Sequence, residues 1–390
     1  MEANYVWEQS DKNIEALLLE LIVLSCAYRH MDKAEVISSA QKVDDRQKWL
    51  LDSLATYQAL SYICEFFNIN DEAKINDVLS RPNLQAITKL CIDALNCPDA
   101  AITFSTSGSE SKPKKITHSL KSLQQEVESW VQILPLVTRV YCTVPLKHIY
   151  GFIWGILLPK MLNLPSCRLE NALLHKTKIE TTSLVISVPA LLPLLERLPN
   201  ESRRNTHLVV STAPLDFITL SALDGWHFRS AIQIYGSTET GGIGYRCGKR
   251  KHYTLRNGLT SDDKSIFKDG KKVELQDNLI FQSSEHFQVI GRKDNRIQVN
   301  GYNVCPNEIT RELVQLSEVD EAVIRVVDEK NNKALKLFIV LSSSADKSSV
   351  LKVINQRFDR IISRQYVTFG GGLPRNEMGK VSDWEHALTN

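Results

Sequence analysis

The chain has 390 residues, 24% of them charged and 43% hydrophobic, with a formal net charge of +2 at pH 7. That length allows two to three domains with ample buried core, and the composition is that of an ordinary globular protein. The near-balanced charge gives no general case for nucleic acid or an anionic membrane as partner.

Eight cysteines, at 26, 64, 91, 97, 142, 167, 247 and 305, form no CxxC pair and have no histidine cluster beside them. They are expected to be reduced thiols of a cytoplasmic protein, not zinc ligands. The apolar runs 16–24 and 151–164 carry Glu20 and Lys160 and are too short to cross a bilayer, so no membrane span is expected. Residues 1–100 predict mostly helix. Apolar positions recur at helical spacing after Ile14, from Trp49 to Tyr62 and from Leu84 to Leu95, with breaks at Asn70-Asp71 and Arg81-Pro82-Asn83. The aromatic and leucine side chains there are expected to be core.

The stretch AITFSTSGSESKPKKITH, 101–118, has another character. A β-type run, Ala101 to Phe104, feeds a loop of hydroxyls and glycine, and lysines follow at 112, 114 and 115. Hydroxyls and backbone N–H groups can wrap phosphate oxygens, Gly108 permits close approach, and lysines offset anionic charge. The spacing is not that of a P-loop, and a plain surface turn has the same composition.

An amphipathic helix is predicted over Ser119–Leu134. Short apolar runs follow at Arg139–Val144, Ser183–Val188, His207–Ser211 and Ala231–Tyr235, with helical patterns such as Ala190–Arg197 between them. Such alternation predicts an α/β core with parallel pairing, whose function gathers at the carboxyl ends of strands. Three of the runs end in marked sequences: VPLKHIYG (144–151), STAP (211–214) and YGSTETGG (235–242). Residues 249–252 read as a solvated basic loop, and 251–290 as short β-type pieces joined by turns. After GRKDNRIQVNGYNV (291–304), a smaller unit is predicted, with helices near Asn307–Leu316 and Ser349–Arg357 and strands near Ala322–Val327 and Leu335–Leu341. The expected domains are 1–290 and 291–390, divided at Gly291–Asp294.

Five stretches, in order, resemble the AMP-forming adenylation superfamily of acyl-CoA synthetases, aryl-acid ligases and peptide-synthetase adenylation domains. They are TSGSESKPK (106–114), HIYG (148–151), YGSTETGG (235–242), GRKDNRIQVNG (291–301) and LPRNEMGKV (373–381). HIYG and STETGGIGYR look most similar to short acyl-CoA-synthetase-like ligases of polyene and fatty-acid-type biosynthetic clusters. The motifs leave residues 1–100 outside the resemblance.

The resemblance implies an α/β fold: a large acid- and ATP-binding domain, helical at its N-terminal end, and a small mobile α+β domain. It implies ATP and Mg2+, a small carboxylic acid substrate, and CoA or an acyl carrier protein's phosphopantetheine as thiol acceptor. The acid would be joined to AMP with loss of pyrophosphate, and the thiol would then displace AMP.

Residue by residue, Thr106, Ser107, Gly108, Ser109 and Lys114 would hold phosphate. Glu239 would bind Mg2+, with Thr238 near the α-phosphate. Tyr235, with Gly236 and Ser237, would face adenine, opposite Ser211, Thr212, Ala213 and Pro214. Asp277 and Arg292 would take the ribose, and Lys380 the α-phosphate and incoming carboxylate. His148, Tyr150, Gly151 and Gly241 would border the acid pocket, and Asp294 would be the hinge.

Blander readings stand beside several of these. His148 has the alternative of a packed, backbone-bonded histidine, Asp277 that of a turn residue, and Cys305 is read as a small buried hydrophobe. The phosphate loop departs from the family at Glu110, Ser111 and Lys115, and the hinge region at Gln298. An acidic side chain beside a triphosphate is repulsive. The alternative function is therefore a catalytically weakened module of the same fold that binds an acyl or nucleotide ligand, or scaffolds a biosynthetic complex.

Overall fold

A computed structural model of the chain describes residues 6–8, 11–26, 32–43, 49–105, 114–169, 178–212, 225–248, 250–292, 297–329, 332–343, 345–374 and 383–384. They divide into two compact units. The first holds the N-terminal helices, Lys114–Glu274 and Ile280–Gln288; the second holds Leu275–Leu279 and the chain from Val289 onward.

The N-terminal region is helical, as its periodicity predicts: α1 Lys12–Cys26, α2 Lys33–Gln41, α3 Ser53–Phe66, α4 Glu72–Ser80 and α5 Leu84–Leu95. Ile14, Leu17, Leu18, Leu21 and Ile22 form the buried stripe of α1. The predicted breaks are helix starts. Asp71 caps α4 by accepting from Lys74 N at 3.1 Å, and Asn83 caps α5 by accepting from Ala86 N at 2.8 Å. Asp52 does the same for α3, at 2.8 Å from Ala55 N, so Trp49 lies outside the helix that its periodicity suggested.

Strands β1 Ala101–Ser105 and β2 Lys115–Ser119 pair antiparallel, and Ser119 caps α6, Leu120–Val131. A large sheet follows. Its strands β4 Ser166–Arg168, β3 Arg139–Cys142, β5 Ser183–Ser187, β6 Thr206–Val210 and β7 Ser230–Ser237 run parallel, in that spatial order. Strands β8 Gly241–Cys247 and β9 Tyr253–Leu255 continue it antiparallel beyond β7, followed by the hairpin Asp277–Ser283/His286–Arg292.

The central strands β5 and β6 are buried on both faces, and alternation along each sorts the two. Leu184 and Ile186 of β5 and Val209 of β6 join the core that contains α1, α3, α5 and α6. Val185, Leu208 and Val210 join a second cluster with Leu192, Leu195 and Leu198. The predicted helix 190–197 is a 3₁₀ turn, Pro189–Leu191, followed by α-helix Leu192–Glu196, because Pro193 cannot donate within a longer helix.

In the second unit, Ile297–Val299 and Tyr302–Val304 form a hairpin across Asn300-Gly301. Both turn residues have positive φ, 49° and 83°, as a tight two-residue hairpin requires. Strands Val319–Glu329 and Asn332–Leu341 pair antiparallel, and Val367–Gly370 adds a parallel third strand. Helices Pro306–Val314 and Lys347–Phe358 contribute Ile309, Leu313, Val350 and Ile354 to one core with Leu335, Leu337 and Ile339. The mixed α+β texture agrees with the predicted elements, whose strands are several residues longer than the apolar runs that signalled them.

Candidate active site

Because β3, β5, β6 and β7 are parallel, their carboxyl ends lie along one edge of the sheet. The marked sequences fall there: VPLKH after β3, Ser211-Thr212 after β6, and Thr238-Glu239 after β7. Neighbouring strand order reverses at β3, with β4 on one side and β5 on the other, which makes this edge the ligand-binding side of an open α/β sheet.

The β7–β8 connection is the most elaborately held. Ser237 pairs with Gly241, leaving Thr238, Glu239 and Thr240 as a three-residue loop closed by Gly241 at φ +69°. The Ser237 and Thr240 hydroxyls lie 3.1 Å apart, and Thr240 Oγ1 donates to the Gly241 carbonyl at 2.8 Å. From β2, His118 Nε2 meets the Thr238 carbonyl at 2.7 Å. A carbonyl only accepts, so Nε2 carries the proton. Glu239 itself is exposed on this fixed turn. Among the described residues no group of three His, Cys, Asp or Glu forms a metal cage. One hard carboxylate beside phosphate oxygens is instead the setting in which Mg2+ is commonly held.

Just after β6, Ser211 Oγ donates to the Ile234 carbonyl at 3.0 Å. Thr212 has φ +79°, a conformation strained for a β-branched residue and of the kind that collects at ligand-binding turns. Tyr235 is half-buried in an aromatic group with Tyr253 and Phe287, at centroid distances of 5.6 and 5.7 Å. Those contacts fix the ring in place.

The loop after β3 is tied to the N-terminal helices. Glu20 Oε2 accepts from the Leu146 and Lys147 amides at 2.7 and 3.3 Å, and its Oε1 lies 3.0 Å from Arg168 Nη2. Arg168 Nη1 also donates to the Val144 carbonyl. Burial raises the Glu20 pKa, against the opposing pull of Arg168. The helix that follows carries a π-helical turn at Ile153–Leu157, a feature frequent near functional sites.

Tyr150 Oη donates to the carbonyls of Ser187 and Val209, at 3.1 and 2.8 Å, which commits its hydroxyl to the ends of β5 and β6. A Cβ on Gly151 would lie 2.0 Å from the Pro145 carbonyl oxygen. Gly151→Ala is therefore expected to destabilise the protein by about 1–3 kcal/mol through overpacking, read by denaturant unfolding; an unchanged midpoint would show that the loop can move aside.

His148 keeps a solvent-exposed edge, yet surrounding protein, ahead of the Lys147 ammonium, pushes its pKa down to about 4. The sign is that of a depressed base: the neutral imidazole persists above pH 5, and stability falls as acid charges it between its ordinary value and about 4. An NMR titration of His148 should accordingly be flat from pH 5 to 8. An inflection near 6.5 would mean that water reaches the ring freely.

Several sequence-predicted residues are placed elsewhere or lie outside the described residues. Thr106, Ser107, Gly108, Ser109, Ala213, Pro214, Asp294 and Lys380 are outside, together with Glu110 and Ser111, as is the Arg292 side chain. Asp277 opens its strand in the second unit. Lys114 is exposed, and Lys115 pairs with Glu65 at 2.5 Å. Cys305 is buried, and all eight cysteines are free. No helix among the described residues is long and apolar enough to cross a membrane. Sequence reasoning assigned no role to His118, Glu20 or Arg168, whose partners are 120, 126 and 24 residues away.

An open α/β sheet with strained and held loops at its carboxyl edge has the ligand-binding crevice of the α/β enzymes there. The chain belongs to the AMP-binding enzyme family, whose model matches residues 21–264. It is an AMP-forming ligase of carboxylic acids. The match begins inside the helical N-terminal region, which the motifs alone had left outside the resemblance; that expectation is corrected, because shared helical core there carries no short motif.

The chain is 31% identical to a 4-coumarate–CoA ligase of Cereibacter sphaeroides over 353 residues, covering 86% of this chain and 83% of that one. It is 24% identical to a 3,4-dihydroxybenzoate–[aryl-carrier protein] ligase of Bacillus anthracis, covering 71% of each. The solved o-succinylbenzoate CoA synthetase of Bacillus subtilis shares the fold, with a TM-score of 0.60 at 14% identity, over 94% of this chain and 90% of that one.

Proposed function

We propose that the protein uses ATP and Mg2+ to convert a carboxylic acid, of aryl or medium-chain type, into its acyl-adenylate, then passes the acyl group to a pantetheine thiol. The observation that supports this best is the gathering of VPLKH, Ser211-Thr212 and Thr238-Glu239 at the carboxyl edge of one sheet, from stretches up to about ninety residues apart.

In the first half-reaction, a carboxylate oxygen bonds to the α-phosphorus and the bond to pyrophosphate breaks. This chain's part is positioning and charge. Tyr235, fixed by its aromatic neighbours, stacks on adenine, with the Ser211–Pro214 segment as the opposite wall. Glu239 would hold Mg2+, which supplies electrostatic stabilisation to the phosphate oxygens when bound. Thr238 offers its hydroxyl, and Lys380 neutralises charge that builds at the α-phosphate. The loop 106–109 with Lys114 holds the leaving phosphates, and Asp277 and Arg292 bind the ribose. His148, Tyr150, Gly151 and Gly241 border the acid pocket, where the neutral imidazole of His148 adds no cation to compete with Lys380. The domain from 291 to 390 swings about Asp294 before the thiol attacks the acyl carbon and AMP leaves.

The relatives' names favour an aryl acid, and CoA is the first acceptor to test, with a carrier protein's phosphopantetheine second. ATP–pyrophosphate exchange with a panel of hydroxycinnamic, hydroxybenzoic and fatty acids tests the first half-reaction. Thioester formation with CoA or a carrier protein tests the second. Exchange that depends on the acid supports the proposal. No exchange, in a folded protein that still binds ATP or an acyl ligand, supports the weakened binding module instead and turns attention to Glu110 and Ser111.

A further inference from the structure

We propose that Glu126 and Arg256, a buried pair of opposite charges, are positioning residues that set the Thr238–Glu239 turn for Mg2+ by gripping both sides of the Gly242 residue. The inference rests on the reading of Glu239 as the Mg2+ carboxylate.

Both side chains are only 4% exposed. Glu126 Oε1 accepts from the Gly242 amide at 2.8 Å and from Trp130 Nε1 at 3.1 Å. Arg256 Nε donates to the Gly242 carbonyl at 2.8 Å, and its Nη1 to Ser129 Oγ at 2.9 Å and the Asn257 carbonyl at 3.2 Å. The guanidinium also lies 5.8 Å from the Trp130 ring centre. One residue's N–H and C=O are thus bonded by two charged groups from separate elements, and charged partners make stronger, shorter bonds than neutral ones.

The two glycines complete the fit. A Cβ on Gly242 would lie 2.4 Å from a Trp130 ring carbon, and one on Gly241 would lie 2.2 Å from Glu126 Oε2. Only backbone fits against this pair. Gly241 also carries the positive φ that closes the turn, so its conformation and the grip on Gly242 are adjoining constraints.

Two opposite charges buried near each other are poor evidence for stability, because desolvation offsets their attraction, and well-packed apolar residues often serve as well. What this pair does supply is direction. His118 holds the β7 side of the turn at the Thr238 carbonyl, and Glu126 with Arg256 holds the β8 side, leaving Glu239 between two fixed points. A single carboxylate that shares a metal with phosphates depends on such supporting bonds for its aim.

Charge and position have opposite consequences here, which makes the test decisive. Acid-dependent pyrophosphate exchange by the full chain would be followed against free Mg2+ at saturating ATP and acid. Arg256→Met removes a positive charge, so electrostatics alone would lower the Mg2+ requirement. Loss of the grip should raise it, by about 10–100-fold as for other supporting-residue changes, and calorimetric titration of Mg2+ into the ATP-bound protein without acid should show the same weakening.

Arg256→Lys is the second variant, for the case in which Arg256→Met does not fold. It keeps the charge but cannot reach the Gly242 carbonyl and Ser129 together, so the Mg2+ requirement should again rise. An unchanged or lowered requirement in the folded variants overturns the inference. Glu239→Ala serves as the control: if it leaves Mg2+ dependence untouched, the reading of Glu239 fails. If it shifts that dependence and the Arg256 variants do not, the positioning role alone fails.

Discussion

Glu239→Ala should lower acid-dependent pyrophosphate exchange by about 10²–10³-fold, and should raise the Mg2+ concentration needed for what remains. The expectation follows from the turn's construction. Glu239 is exposed at the carboxyl end of β7, while every neighbouring group is bonded inward: Thr238 through its carbonyl to His118, Ser237 and Thr240 to one another, and Gly242 to Glu126 and Arg256. A carboxylate on so fixed a support faces solvent and ligand, with the Thr238 hydroxyl beside it. Glu239→Gln separates charge from shape, since the amide keeps an oxygen but binds a hard divalent cation weakly. Equal losses in the two variants would identify charge as the cause. Full activity in both would remove Glu239 from the reaction and return the turn to a purely structural role.

The elements legible in sequence were those with a local signal. Helical periodicity, with the breaks between runs, marked α1, α3, α5 and α6, and short apolar runs between turn residues marked β3, β5, β6 and β7. Their alternation carried the α/β class. The YGSTETGG string stood out as a marked sequence at a strand end, and the resemblance gave its Glu239 a role. What supports that turn was not legible. Glu126 lies in the middle of an amphipathic helix, where a lone Glu reads as solvent-facing, and Arg256 lies in a turn where it reads as a loop cation. Their shared target, Gly242, is 116 and 14 residues away, and no spacing rule connects the three. Glu20 was misleading in a similar way. It argued against a membrane span, yet its place in the fold is a long-range clamp on the loop before His148. Gly151 could be read as part of a motif, whereas the reason for glycine there, the Pro145 carbonyl against its α-carbon, exists only in three dimensions.

Lys380→Ala should reduce adenylate formation by about 10²–10³-fold while leaving ATP binding measurable, because its ammonium is assigned to charge that develops during transfer and not to the resting nucleotide. Lys380 lies outside the described residues; near it in sequence, Asp383 and Trp384 are held by the smaller unit's sheet. Buried Lys336, in the strand Asn332–Leu341, donates to the Trp384 carbonyl at 2.8 Å and pairs with Asp383 at 2.7 Å. Trp384 also packs edge-on against Phe338 at 5.5 Å. Lys336→Met keeps the stem's packing but removes both polar bonds, and should lower the exchange rate less than Lys380→Ala, with KM for the acid unchanged. Isothermal titration with ATP separates the effects. Unchanged exchange in Lys380→Ala would exclude it from the chemistry, whereas lost ATP affinity would assign it to ground-state binding instead.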